Sequence, residues 1–299
     1  MTYPTMPSGE GFLGLGDDAP VPGDAPLVTI IPFGLEHTVS WRGGTARGPA
    51  AMLDASHQVE LFDEELWCEP YLKFRTETLA EPEMPVKTEA ALDLLAATTG
   101  AALDRGAFPL VFGGEHSITP GAIRPYLDLW SDLALLHIDA HADLRDGYEG
   151  EHFSHAAAIR RCMDAPDLEV VSVGIRNISA EEIPFLEANR ERLHIHWAKD
   201  MADWDIEAML APLKGRPVYV TFDLDAFDSS VMPATGTPEP GGLFWPDALK
   251  ILRKAFETAN VVGADINELA PAAPLHACDF VAARLAYKML AYRFCRIPE

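Results

Sequence analysis

Short apolar runs rich in β-branched residues alternate with longer stretches of helical period along most of this chain. The runs Leu27–Pro32, Val59–Phe62, Pro109–Phe112, Leu133–Ile138, Glu169–Gly174, Leu193–Trp197, Val218–Phe222 and Val261–Ile266 predict strands. The segments between them predict helices: Gly48–Ser56, Thr88–Arg105, Thr119–Trp130, Ser154–Cys162, Ala180–Asn189, Asp205–Leu213, Trp245–Thr258 and Asp279–Phe294. Thr119 before Pro120 reads as an N-cap with proline at the first helical position, and Ser179 with Glu182 as a capping box. Such alternation predicts an α/β fold, a parallel sheet with helices on both faces. In sheets of this kind ligands bind beyond the carboxyl ends of the strands.

No Ser/Gly-rich break divides the 299 residues, so a single domain over 27–299 is expected, preceded by an extended Gly/Pro-rich arm at 1–26. The arm lacks a basic stretch followed by an apolar one, which argues against a secretory signal. No apolar run approaches the length of a membrane span. Four scattered cysteines without a Cys-x-x-Cys spacing suit free thiols in a reducing cytoplasm. The formal charge of −23 disfavours nucleic acid and anionic membrane as partners and favours a cationic small molecule.

Three clusters carry the chemistry, each directly after a predicted strand. His116 lies in Gly-Gly-Glu-His-Ser; Asp139, His141 and Asp143 in Asp-Ala-His-Ala-Asp; Asp223 and Asp225 in Asp-Leu-Asp. If those strands are parallel neighbours, four carboxylates and two imidazoles meet at one sheet edge. Carboxylates gathered that closely would neutralise unless cations held them, and two divalent ions meet the need. The i, i+2 spacing within each Asp cluster sends alternate side chains to one side of an extended chain. A thiolate-free oxygen and imidazole set suits Mn²⁺ and also accepts Fe²⁺, Co²⁺, Ni²⁺ or Zn²⁺. His194 and His196 share the spacing but lie in an apolar run without acidic companions and read as one face of a strand. His137 reads as packing or as a partner to a ligand, and Asp228 as a turn cap.

Together with Gly236-Thr237-Pro238-Glu239-Pro240-Gly241-Gly242 and Trp41-Arg42-Gly43-Gly44-Thr45-Ala46-Arg47-Gly48-Pro49, these motifs resemble the ureohydrolase family of arginases and agmatinases, from about Ile31 to the end. The resemblance implies a three-layer α/β/α fold with a central eight-stranded parallel sheet, two Mn²⁺ ions per chain, and hydrolysis of a guanidino group to urea and an amine. It also implies that His116, Asp139, Asp143 and Asp223 hold one ion, and His141, Asp139, Asp223 and Asp225 the other. A trimer or hexamer is the assembly it implies.

A guanidinium is planar, delocalised and charged at any physiological pH, so its hydrolysis needs a strong nucleophile. Paired divalent ions answer that need by lowering the pKa of water from about 15.7 to roughly 7. Asp143 is placed to aim the nucleophile. His155, in Phe153-Ser154-His155-Ala156, matches the family's proton-shuttle histidine, and Glu268, in Asn267-Glu268-Leu269-Ala270-Pro271, its guanidinium-binding glutamate. A carboxylate takes a guanidinium edge through two parallel hydrogen bonds.

The polar residues with which arginases read the amino-acid end of arginine are not reproduced at Gly174–Ser179 or Glu149–Phe153, and the Gly236–Gly242 run is agmatinase-like. Agmatine, giving putrescine in polyamine biosynthesis, is therefore the expected substrate. Guanidinobutyrate, guanidinopropionate, aminopropylagmatine and arginine are alternatives. So are a non-catalytic, metal-stabilised relative and a one-metal amide deacetylase.

Overall fold

Leu110 and Phe112 pack into one side of a sheet and Val111 into the other, so a strand apolar throughout buries every side chain. The same division separates Leu136, Val220 and Ala264 from Leu135 and Tyr219. The structure, a computed structural model that describes residues 3–296, contains eight strands. They are β1 (Leu27–Phe33), β2 (Arg75–Thr78), β3 (Phe108–Gly113), β4 (Ala134–Ile138), β5 (Glu169–Ile175), β6 (Leu193–Trp197), β7 (Pro217–Asp223) and β8 (Asn260–Asn267). All pairings are parallel, in the order β2-β1-β3-β8-β7-β4-β5-β6. On one face lie α1 (Gly48–Ser56) and, later in the chain, the helices Trp245–Thr258 and His276–Phe294; α2 (Thr88–Leu103) and α3 (Thr119–Leu129) cover the other. The expected three-layer, eight-stranded parallel α/β fold is thus the one observed.

One predicted strand is wrong. Residues 59–62 form no strand, and the eighth member of the sheet is instead β2. Val59 and Leu61 are apolar because their loop packs under the helix His276–Phe294, where Tyr287 Oη donates to Leu61 O at 2.6 Å and Lys288 Nζ pairs with buried Asp63 at 2.9 Å. The true strand, Arg-Thr-Glu-Thr, carries no hydrophobic signal because it is an edge with solvent on one side. Residues 3–26 run beside this edge: Met6 N donates to Thr78 O and Ala80 N to Pro4 O, both at 2.8 Å, and Phe12 and Leu13 are buried.

The predicted Thr119 cap also fails, since Thr119 is itself the first helical residue and makes no capping bond. Half of the second cap forms: the Glu182 carboxylate accepts from Ser179 N at 2.6 Å, but the helix α5 (Ile183–Ala188) starts after it. The predicted helix Ser154–Cys162 is split into a 3₁₀ turn, His155–Ala157, and a short α4, Ala158–Cys162.

Candidate metal centre

β3, β8, β7 and β4 are adjacent in the middle of the sheet, and all four release the chain at the same edge. The turn after β3 needs its glycines. A Cβ on Gly113 would sit 2.0 Å from Asn267 Oδ1, and one on Gly114 would sit 2.0 Å from Leu35 O. His116 follows in the next turn, fully buried. Asp139, His141 and Asp143 lie beyond the end of β4, so strand alternation does not bring them together. Local turns do: His141 N donates to Asp139 Oδ1 at 2.6 Å, and Asp143 adopts φ 53°. After β7 the pattern recurs, with Asp225 N donating to Asp223 Oδ1 at 2.8 Å. Glu268, just past β8, holds φ 67°. Left-handed backbone at non-glycine residues costs of order 1–3 kcal/mol and concentrates at functional sites.

Buried Asp265 accepts through Oδ1 from Asn267 Nδ2 at 2.7 Å and from Thr221 Oγ1 at 2.5 Å. A hydroxyl has one proton, so Thr221 Oγ1 meets His116 Nε2, 2.8 Å away, as an acceptor. His116 Nε2 therefore bears hydrogen, and in the neutral ring Nδ1 is bare. That Nδ1 lies 3.0 Å from Asp139 Oδ2, 3.2 Å from Asp223 Oδ2 and 3.3 Å from Asp143 Oδ2, and it makes no hydrogen bond. Four lone-pair donors converging in a buried space repel one another unless a cation or a proton sits between them. Without a metal a proton takes that place: burial opposes charging the ring, but the three carboxylates push the His116 pKa well above its ordinary value.

A second group adjoins the first. His141 Nδ1 lies 2.9 Å from Asp225 Oδ2 and 3.6 Å from Asp139 Oδ1. Asp139 belongs to both: its ligand atoms lie within 4.8 Å of those of His116, His137 and Asp143 on one side and of His141 and Asp225 on the other. The carboxylates strain against their own charge. Burial, then Asp225 and Asp139, raises the Asp223 pKa well above normal; burial and the charge of Asp139 raise that of Asp143. Burial, with Glu115 and Asp225 nearby, raises Glu268 well above normal. Cations relieve all of these together, and a set of imidazoles and carboxylates suits divalent ions.

The structure brings His116, Asp139, His141, Asp143, Asp223 and Asp225 together, as the sequence predicted. His155 and Glu268 join them on the wall of a cavity of about 180 Å³, with Trp41, Tyr148, Asn177 and Thr237. Glu268 Oε1 accepts from His116 N at 2.6 Å. His137 engages Asp139 Oδ2 at 2.8 Å and Ser172 Oγ at 3.0 Å, so both its nitrogens are occupied in bracing Asp139. Asp228 caps a turn, accepting from Ser230 and from Gly241 N at 2.7 Å; its pKa falls to about 2. His194 pairs with Glu169 at 3.0 Å on β6, away from the centre.

Sequence reasoning missed the supports. Thr221 and Asp265 orient His116, while Thr38 meets His155 and in turn donates to Glu115. Arg176 donates to the carbonyls of Asp225, Ala226, Phe227 and Glu239, tying the loop after β7 to the Gly236–Gly242 run. Asp265 did leave a signal, a carboxylate inside the apolar run of β8; the others left none.

The arginase family profile matches residues 27–291. The chain is 38% identical over 275 residues to an N(1)-aminopropylagmatine ureohydrolase of Synechocystis, covering 89% of this chain and 88% of that protein. It is 35% identical to an agmatinase of Bacillus anthracis, covering 82% and 83% of the two. The agmatine ureohydrolase of Thermoplasma volcanium superposes with a TM-score of 0.78 over 92% of each chain at 28% identity. A profile spanning most of the chain, relatives of that likeness and a shared parallel sheet make this chain a member of the arginase family.

Proposed function

We propose that this arginase-family ureohydrolase cleaves the guanidino group of a guanidinoalkyl amine, with agmatine as the substrate and urea and putrescine as the products. The observation that carries the reading is His116 Nδ1 within 3.0–3.3 Å of three carboxylate oxygens beside a cavity that also presents Glu268 and His155. His116, Asp139, Asp143 and Asp223 are assigned to one divalent ion, and His141, Asp139, Asp223 and Asp225 to the other, with Mn²⁺ the proposed metal. When bound, such a pair activates water at neutral pH and offsets the carboxylate charge.

The remaining steps belong to the side chains. Glu268 Oε2 accepts no protein hydrogen bond among the described residues, so it is available to a guanidinium N–H, while His116 N fixes Oε1. Asp143 accepts a hydrogen bond from the attacking water and aims it at the guanidino carbon. His155 carries a proton to the departing amine nitrogen, a role that contributes roughly 10²–10⁴-fold in rate. Agmatine lacks the carboxylate of arginine, whose burial costs several kcal/mol unless donors meet it.

Arg145 on the cavity wall is paired with Glu181 at 3.0 Å, which offsets its charge toward an amine-bearing substrate. The relative named N(1)-aminopropylagmatine ureohydrolase supports a longer amine at the same site. A second reading rests on Arg42, which lines the cavity and has no ion-pair partner among the described residues. It favours a substrate ending in a carboxylate, such as guanidinobutyrate.

Urea release from agmatine, N(1)-aminopropylagmatine, guanidinobutyrate and arginine tests the choice. The highest kcat/KM is expected for agmatine. A lead for the aminopropyl derivative keeps the amine class and moves the substrate; a lead for guanidinobutyrate transfers the assignment to the second reading; a lead for arginine contradicts both.

A further inference from the structure

His155 is the one proposed catalytic group that lies outside the cluster of carboxylates, on a 3₁₀ turn that leaves its ring half-exposed. A proton carrier needs one defined nitrogen facing its target, and its own turn offers only Ser154 Oγ, 3.4 Å from His155 Nδ1, beyond the usual hydrogen-bond length. The partner is Thr38, distant in sequence. Thr38 Oγ1 accepts from His155 N at 2.9 Å and lies 3.1 Å from His155 Nδ1. On its other side it donates to Glu115 Oε1 at 2.9 Å.

Glu115 fixes the direction of these bonds. Fully buried, it is surrounded by donors: His37 N and Thr38 N at 2.7 Å each on Oε2, and Ser117 Oγ at 2.5 Å beside Thr38 Oγ1 on Oε1. A carboxylate so placed is an acceptor only, which commits the single Thr38 proton to it. Thr38 Oγ1 can then only accept from His155, so His155 Nδ1 carries hydrogen. Its Nε2 is the nitrogen left free to take up and deliver a proton. The same carboxylate anchors the backbone of His37 and Thr38, which leads into Val39, Ser40, Trp41 and Arg42 on the cavity wall.

We infer that Thr38 and Glu115 are positioning residues for the reaction: they fix the tautomer and the tilt of His155, so that Nε2 performs the proton transfer to the leaving amine. The inference rests on the proposed role of His155 and adds which nitrogen acts and what holds it. It assigns a function to the glutamate of Gly-Gly-Glu-His-Ser that is separate from ligation by the neighbouring histidine.

The test compares Thr38→Val, which keeps the shape but removes the hydroxyl, with Thr38→Ser, which restores it, each in the wild-type and His155→Ala backgrounds. Thr38 is half-buried, so the isostere is compatible with folding. With agmatine and Mn²⁺, Thr38→Val should lower kcat about 10- to 100-fold, the scale of a misplaced catalytic group. KM, bound metal and melting temperature should stay at wild-type values, and Thr38→Ser should recover kcat to within about threefold. In the His155→Ala background Thr38→Val should cost nothing further, because both changes remove one unit. Wild-type kcat in Thr38→Val overturns the inference, and so does an equal loss in both backgrounds. Should His155→Ala itself retain wild-type kcat, the role of His155 falls, and the positioning inference with it.

Discussion

Asp139→Asn should leave a folded protein that binds fewer than two ions and has lost about 10²–10⁴-fold in kcat/KM. Asp139 is one of the two carboxylates, with Asp223, proposed to serve both ions, and its Oδ2 lies 3.0 Å from His116 Nδ1 and its Oδ1 3.6 Å from His141 Nδ1. Burial opposes its charge, yet His137, His116 and His141 outweigh burial and hold its pKa well below the ordinary carboxylate range. Unlike Asp143 and Asp223, whose pKa values are raised, it is held ionised and would suit a ligand shared by two cations. Losing the charge of a shared ligand weakens the hold on the ions that would activate water, which is the basis of the predicted loss. Asparagine keeps the volume and one acceptor oxygen, so circular dichroism should be unchanged while metal analysis shows the deficit. Two retained ions with undiminished activity would show that the bridge lies elsewhere.

Glu268→Gln should separate substrate binding from metal binding. The predicted outcome is a kcat/KM for agmatine reduced about 10³-fold with the full metal complement retained. A cationic guanidinium must sit beside two cations, and at about 4 Å and an effective dielectric near 20 each unit-charge pair contributes around 4 kcal/mol. Glutamine keeps the acceptor for His116 N but removes the charge that offsets this repulsion. Glu268 also adopts left-handed backbone at φ 67°, a strain that persists because His116 N and the Glu268 N–Gly114 O bond hold the turn on both sides. If the variant loses its ions, Glu268 belongs to the metal site; if kcat/KM is unchanged, another group binds the guanidinium.

The clusters were legible because their spacing is local and their position at strand ends is set by the strands themselves. Once Pro109–Phe112, Leu133–Ile138 and Val218–Phe222 were read as parallel strands, convergence of His116, Asp139 and Asp223 followed from topology. Their detailed geometry did not, since Asp143 reaches the centre through a left-handed turn rather than by strand alternation. β2 was illegible because an edge strand of Arg-Thr-Glu-Thr buries too little to leave an apolar pattern, while Val59–Phe62 misled because its apolar residues serve a loop. Thr38 and Glu115, 77 residues apart, illustrate a further limit. A threonine in a loop and a glutamate in a turn are each unremarkable until the fold sets one oxygen against the other.

The two-ion centre is checked by counting its ions. Purified protein loaded with Mn²⁺, freed of excess and analysed for metal per chain should contain two, with agmatine hydrolysis appearing only as the second site fills. One ion per chain at full activity, or full activity after chelation of all metal, would contradict the account.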